Sequence, residues 1–384
     1  MNFDFTEEQL MIRKMAKKFA DEEIAPHAKE NDRNCHFPED ILKKMASLGF
    51  LGGPVPQEYG GSGFDYISYA VMSEEIGRVD SSIRTTISVQ ISLIELGILE
   101  WGTEEQKKKY IPALCKGEII GCFALTEPDA GSDASKQTTT ARYKNGKWIL
   151  NGSKMWISNG GIADIAILFA QTDKAKKHKG IAAFIVDTKT RGFSSNEITG
   201  KMGLRASNTA ALFLEDVEIP ENCLFGEVGE GFKIAMACLD NGRYSVAAGC
   251  VGIIQGCIDA CTTYARERKA FGKPIGEFQL VQDMIAKMAV DRDAGRLLVY
   301  RAGDLKNKKI RNTVETSIAK YFCTEAAVRA SHDAIQIHGG YGYCDDFPVE
   351  RYYRDARVAT IYEGTSQIQK LIIAENVLGL RAIV

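Results

Sequence analysis

Phe123-Ala124-Leu125-Thr126-Glu127-Pro128-Asp129-Ala130-Gly131-Ser132-Asp133 stands where the chain changes character. Before it the pattern is helical. After it come short runs rich in β-branched and aromatic residues, at 138–143, 147–150, 165–170, 181–186 and 210–217. Asn145-Gly146, Asn151-Gly152 and Asn159-Gly160-Gly161 separate several of these runs, which predicts antiparallel strands joined by hairpins. The segment itself, with hydroxyls, a glycine and a proline, suits a fixed loop that approaches a ligand closely.

Upstream, Thr6-Glu7-Glu8 offers a helix cap followed by acids, and Leu10, Ile12, Met15, Phe19 and Ile24 recur at helical intervals. Pro26, Pro38 and the stretch from Gly52 to Gly63 mark loops, with further helices expected over 66–77, 82–97 and 104–114. Downstream of Gly231 the helical pattern returns. Phe232, Ile234, Ala235, Cys238 and Leu239 share one face, and helices are expected over 246–268, 279–306, 313–339 and 367–378. The order α, β, α defines an α+β chain with domain limits at 1–120, 121–229 and 230–384.

A chain of 384 residues with 45% hydrophobic content can bury a large core. A net charge of -2 creates no field toward nucleic acid or an anionic membrane, and neither partner is expected. The ten cysteines show no CxxC pair or metal-ligand spacing, so no metal site is expected. Together with an N-terminus that lacks a basic-then-apolar signal segment, they point to a reducing cytoplasm. No apolar run approaches the ~20 residues needed to span a bilayer, which predicts a soluble protein.

Three stretches carry candidate chemistry. In Ile361-Tyr362-Glu363-Gly364-Thr365 a carboxylate beside an aromatic ring and a glycine is a candidate general base if desolvation raises its pKa. The alternative is a solvated acid at a helix N-terminus beside Thr365. Arg84 has no acidic residue within the four positions that follow it, which suits recognition of a ligand's carboxylate; a surface arginine or an intersubunit ion pair is the alternative. In Lys154-Met155-Trp156-Ile157-Ser158-Asn159-Gly160, an extended chain puts Trp156 and Ser158 on one side, indole over a flat ring and hydroxyl at its edge. A tryptophan packed in the core is the alternative there.

Leu125-Thr126-Glu127-Pro128 with Gly131-Ser132-Asp133, then Trp156-Ile157-Ser158-Asn159, Arg266-Glu267-Arg268-Lys269-Ala270-Phe271-Gly272-Lys273-Pro274-Ile275, Gln336-Ile337-His338-Gly339-Gly340-Tyr341-Gly342-Tyr343 and Ile361-Tyr362-Glu363-Gly364-Thr365 together resemble the acyl-CoA dehydrogenases. The resemblance covers essentially the whole chain. It implies that family's fold, a helical N-terminal domain, a central β-barrel and a C-terminal four-helix bundle. It also implies bound FAD, with Phe123, Leu125 and Thr126 on the flavin's pyrimidine side, Ser132 at the phosphate or pantetheine region, and Trp156 with Ser158 over the rest of the ring. Arg268, Phe271 and Gln279, with Gln336, Gly339 and Gly340, match positions that reach a neighbouring subunit's FAD. Thr365 and Gln367 match its dinucleotide end. Such sharing implies a homo-oligomer, usually a tetramer in this family.

By the same resemblance Asp240 and Arg243 contact the acyl-CoA, Glu363 is the base and Gly364 the backbone donor beside it. The implied reaction is FAD-dependent α,β-dehydrogenation of an acyl-CoA to a trans-2-enoyl-CoA, with electron-transfer flavoprotein as the usual acceptor. A flavin-free acyl-CoA-binding homologue and an oxygen-reactive oxidase of the same fold are the rivals. Arg84 and Ser88, with Tyr362 before the base, resemble the glutaryl-CoA dehydrogenases, where an arginine at this place holds the substrate's distal carboxylate. Gly77 departs from the acidic residue of that pattern, and the volume it leaves is expected to admit a bulkier acid such as that of benzylsuccinyl-CoA. A short-chain substrate such as butyryl-CoA is the alternative.

Overall fold

In the computed structural model, which describes residues 4–382, Thr6 accepts a hydrogen bond from Gln9 N while the Gln9 carboxamide accepts one from Thr6 N. This capping box starts α1 (Glu7–Phe19). Residues 1–3 and 383–384, the outer ends of the first and last expected domains, lie outside the described residues. The first helical region continues through α2 (Ala25–Asn34), α3 (Glu39–Ser47), α4 (Tyr66–Val79), α5 (Ser81–Ser88), α6 (Leu96–Trp101) and α7 (Glu104–Cys115). The helix expected over 82–97 is longer and not uniform: a π-helical segment, Val89–Glu95, joins α5 to α6.

Eight strands follow: β1 (Gly121–Ala124), β2 (Thr140–Lys144), β3 (Lys147–Ser158), β4 (Ile165–Gln171), β5 (Ile181–Asp187), β6 (Phe193–Glu197), β7 (Thr209–Pro220) and β8 (Leu224–Phe225). They form one sheet in the order β6-β7-β3-β2-β4-β5-β8, with β1 beside β4. Hairpins do not account for all of it, because β1 and β2 each pair with β4 in parallel. Asn145-Gly146 is the β2–β3 turn, both residues at positive φ as a two-residue hairpin needs. Asn151-Gly152 does not turn: it lies inside β3, where the register against β7 slips. β6 escapes a hydrophobic reading because it is an edge strand, Phe-Ser-Ser-Asn-Glu, mostly exposed.

β4 shows why its sequence is apolar throughout. Ile165, Ile167 and Phe169 face the main core shared with the helices, while Ala166, Leu168 and Ala170 face a smaller core closed by Trp148, Leu150, Phe184 and Leu212. The C-terminal region holds α8 (Gly231–Glu267), α9 (Gln279–Asn307), α10 (Thr313–His338), α11 (Val349–Ala359) and α12 (Ser366–Leu378). α8 to α10 pack on one another, with α12 against α10. α8 runs unbroken where two pieces are expected. α11 went unread because its charged residues mask the buried stripe Val349, Tyr352, Ala356 and Ala359.

Two helical runs, Ser81–Trp101 and Gly231–Glu267, are long and apolar enough to cross a membrane, contrary to expectation. Their apolar windows are 94% and 72% buried inside the protein, which marks them as core helices. α8 lies close against α4, because a Cβ at Gly256 would be 2.5 Å from Arg78 O and one at Gly252 2.7 Å from Arg78 N.

A buried ion pair ties the segment after β1 to the sheet. Lys154 Nζ donates to Glu127 Oε1 (2.9 Å), Leu125 O (3.2 Å) and Gln137 Oε1 (3.0 Å). Glu127 also accepts from Thr138 N and Oγ1 and from Thr139 N. Burial alone would raise the Glu127 pKa, but Lys154 and the threonines outweigh it and hold the carboxyl at about 2. Lys154→Met would leave this carboxylate buried without its counter-ion and should cost about 3–5 kcal/mol in urea unfolding, with much of the loss recovered by adding Glu127→Gln.

Candidate active site

Glu363 and Gly364 connect α11 to α12 with φ angles of 54° and 87°. A non-glycine residue in this left-handed region costs roughly 1–2 kcal/mol, so the turn needs support. Three helices supply it. Arg243 Nε of α8 donates to Glu363 O (3.0 Å), Lys320 Nζ of α10 donates to Gly364 O (2.8 Å), and Gln369 Nε2 of α12 donates to both carbonyls (3.2 and 3.0 Å). Thr365 caps α12 by accepting from Ile368 N, so Glu363 precedes the helix and is not a solvated first-turn acid.

The Glu363 side chain turns toward α8, where Gly242 makes room for it: a Cβ there would lie 2.7 Å from Glu363 Cδ. Oε2 is shut off from solvent and has no hydrogen-bond partner. Burial pushes the carboxyl up, Arg84, Lys320 and Arg243 pull it down, and the balance falls at about 7. A carboxyl with that pKa is half ionised near neutrality and suits proton abstraction. Sequence reading missed Lys320, Gly242 and Gln369, which carry no local signal and meet the base only through three separate helices.

Arg84 is 3% exposed, which excludes a surface arginine. Its Nη2 donates to Tyr362 Oη (2.6 Å) and Thr85 Oγ1 (2.7 Å), while Nη1 is buried without a partner. Asp80, four residues before it, is committed elsewhere, capping α5 through Ile83 N and lying 3.7 Å from Arg351. Ser88 Oγ is 2.5 Å from Ser245 Oγ, which also bonds Ser92 Oγ (3.2 Å). Asp240 and Arg243 pair as their spacing predicts (2.8 Å), and Asp240 also accepts from Thr313 Oγ1 (2.8 Å).

Gly77 requires a correction. It leaves no volume for a bulky substrate, because its missing side chain is already replaced by α8: a Cβ there would be 2.6 Å from Gly249 O and 2.9 Å from Gly249 Cα. The glycine serves helix packing, and the case it made for a benzylsuccinyl-sized acid falls away.

The other sequence candidates fall into two groups. Phe123 and Leu125 are buried at the end of β1, Phe123 against Phe169 (4.9 Å). Thr126 O accepts from Met155 N (2.9 Å), which sets Thr126 beside Trp156. Trp156 is not a core residue: it is 61% exposed, at φ 62°, inside a register shift of β3. Regular strand alternation therefore does not describe it, although Ile157 is buried between it and the half-buried Ser158. An exposed indole, with half-buried Thr126 and Ser158 on the adjoining backbone, fits a flat heteroaromatic ring with polar edges. Ser132 lies exposed in the following loop.

The second group lies where α8 and α10 end. The Arg268 guanidinium sits 5.6 Å from the Tyr341 ring centroid and, with Gly339 and Gly340, lines a cleft of about 510 Å³. Phe271 is 97% exposed, and Gln279 and Gln336 are exposed. Thr365 is half-buried in its capping role and Gln367 is exposed.

Comparison with known proteins agrees with this architecture. Family models described as the acyl-CoA dehydrogenase N-terminal, middle and C-terminal domains match residues 6–118, 122–217 and 229–378. An acyl-CoA dehydrogenase of Bacillus subtilis is 48% identical over 97% of this chain and 99% of its own. The mitochondrial short-chain specific acyl-CoA dehydrogenase of Mus musculus is 45% identical over 98% and 91%. Among solved structures, a glutaryl-CoA dehydrogenase in complex with glutaryl-CoA superposes with a TM-score of 0.97 at 41% identity, covering 99% of this chain and 98% of that one. A chain from a structure described as the electron transferring flavoprotein of Acidaminococcus fermentans gives 0.97 at 45%, covering 98% and 100%.

The chain belongs to the acyl-CoA dehydrogenase family and is an FAD-dependent oxidoreductase acting on acyl-CoA. Trp156, Ser158 and Thr126 would hold the flavin, which when bound supplies the acceptor for a hydride from the substrate's β-carbon. The chain's own part is the proton. Glu363 Oε2, desolvated and without a competing donor, is suited to accept a proton, while the Arg243, Lys320 and Gln369 bonds hold the Glu363-Gly364 backbone in place.

Glu363→Gln should therefore retain FAD and lower turnover by ~100- to 10,000-fold. In the wild type, kcat/KM should rise as pH increases through about 7, as the base ionises. Stability runs the other way. The folded carboxyl binds its proton more tightly than the unfolded one, so stability falls across the window from pH 4.5 to about 7. That cost is about 3 kcal/mol above pH 7, so Glu363→Gln apoprotein should melt above wild type at pH 8 and near it at pH 4.5.

Proposed function

We propose that the acyl group taken by this dehydrogenase carries a carboxylate at its far end, as in glutaryl-CoA. The observation that carries this reading is the buried Arg84 guanidinium, held by Tyr362 beside the base, with Nη1 unpaired and no carboxylate bonded to it among the described residues. A buried guanidinium with no carboxylate bonded to it is unfavourable, and a substrate carboxylate at Nη1 would offset that cost. The wider charge balance supports it: Arg84, Arg243 and Lys320 surround Glu363, with Asp240 paired to Arg243. The names of relatives favour a second reading, a short unsubstituted chain such as butyryl, since a close relative acts as a short-chain dehydrogenase.

Arg84→Ala separates the two. It should lower kcat/KM for glutaryl-CoA by roughly 30-fold or more, from the ~2–5 kcal/mol of a truncated buried charge pair, and leave butyryl-CoA turnover unchanged or improved. Equal losses on both would favour the short-chain reading.

Electron-transfer flavoprotein is the proposed electron acceptor, in line with the similarity to a chain from an electron-transferring flavoprotein structure. A homo-oligomer, a tetramer by family resemblance, is proposed from Arg268, Phe271, Gln279, Gln336, Gly339 and Gly340. Exposed Phe271, Leu280, Val290 and Leu297 near and along α9 favour such a face. Its setting is proposed to be the cytoplasm, where the free cysteines stay reduced. Arg268→Ala should lower FAD retention and oligomer mass together, measured by flavin absorbance with light scattering; a monomer at full FAD occupancy would contradict cofactor sharing.

A further inference from the structure

We infer that Gly249 of α8 is a specificity-determining residue: the space left by its missing Cβ is the slot in which the Arg84 side chain lies, an inference that rests on Arg84 being the carboxylate contact. A Cβ at Gly249 would be 2.6 Å from Arg84 Nε and 3.1 Å from Cγ, and nearer still to Cδ. Contact below 3.0 Å forces something to move. The clash falls on the middle of the side chain, where swinging aside would break the bonds of Nη2 to Tyr362 and Thr85. Nor can α8 retreat toward α4, since Gly77 already packs against the Gly249 backbone. Positions 84 and 249 therefore share one volume, and a long cationic side chain at 84 requires glycine at 249.

Neighbouring glycines on the same helix differ in kind. At Gly252 and Gly256 a Cβ would meet α4 backbone at Arg78, which is helix packing with no side chain of the site involved. At Gly249, by contrast, the three atoms nearest to an added Cβ all belong to the Arg84 side chain.

Four FAD-loaded proteins test this: wild type, Gly249→Ala, Arg84→Ala and the double variant, each assayed with glutaryl-CoA and butyryl-CoA and an artificial electron acceptor, and each melted. Gly249→Ala should lower kcat/KM for glutaryl-CoA by about 10-fold or more, mainly through KM, and change butyryl-CoA by less than about 2-fold. In the Arg84→Ala background the same substitution should change either substrate by less than about 2-fold, and the melting temperature lost in Gly249→Ala should return. Equal loss on both thioesters, or the same loss of melting temperature in both backgrounds, would overturn the inference and leave Gly249 a packing residue. If Gly249→Ala does not fold, a folded double variant supports it and an unfolded one overturns it. Should Arg84→Ala slow both substrates alike, the carboxylate reading fails, while recovery of melting temperature in the double variant still reports whether the two positions share volume.

Discussion

The missing Cβ atoms along α8 are the constraint on which the rest depends. Gly242 admits the carboxyl of Glu363, Gly249 admits the stem of Arg84, and Gly252 and Gly256 let α4 approach to backbone contact. One helix thus sets the depth of the base, the course of the arginine and the distance between the two helical regions. Close packing makes these settings discrete, because a core at native density has no slack in which a methyl group can be absorbed.

The electrostatics follow from that burial. Glu363 is removed from water by the helices that hold its backbone, and the same helices bring Arg243 and Lys320 near its charge. Desolvation and cations oppose one another, and the outcome near neutrality is a carboxyl that can both lose and regain a proton. The left-handed turn is part of the same arrangement, since strain at Glu363 persists only because its carbonyl and that of Gly364 accept bonds from three helices.

Arg84 illustrates how a sequence signal can rest on an incomplete reason. The lack of acids after it suggested an unpaired guanidinium, yet Asp80 lies one helical turn before it. That acid is unavailable only because it caps α5 and faces Arg351 from α11, an element hidden in a run of charges. Gly77 is the converse: its departure from an acidic pattern suggested empty space, and the neighbouring helix fills that space.

What the sequence determined by itself is local or patterned: the α, β, α order from the change of hydrophobic period near Gly121, the Asn145-Gly146 hairpin, and the motifs that mark Glu363 and Trp156. These are readable because helix and strand periods and turn chemistry depend on residues a few positions apart. Tertiary structure alone decided that β1 and β2 run parallel to β4, that Asn151-Gly152 is a slip inside a strand, and that Lys320, Gln369 and Gly242 converge on the base. Apart from Gln369, which lies on the helix that follows the base, these contacts join positions 31 to 121 residues apart or depend on a side chain being absent, and pairing and packing between distant elements, which have no local period, create them.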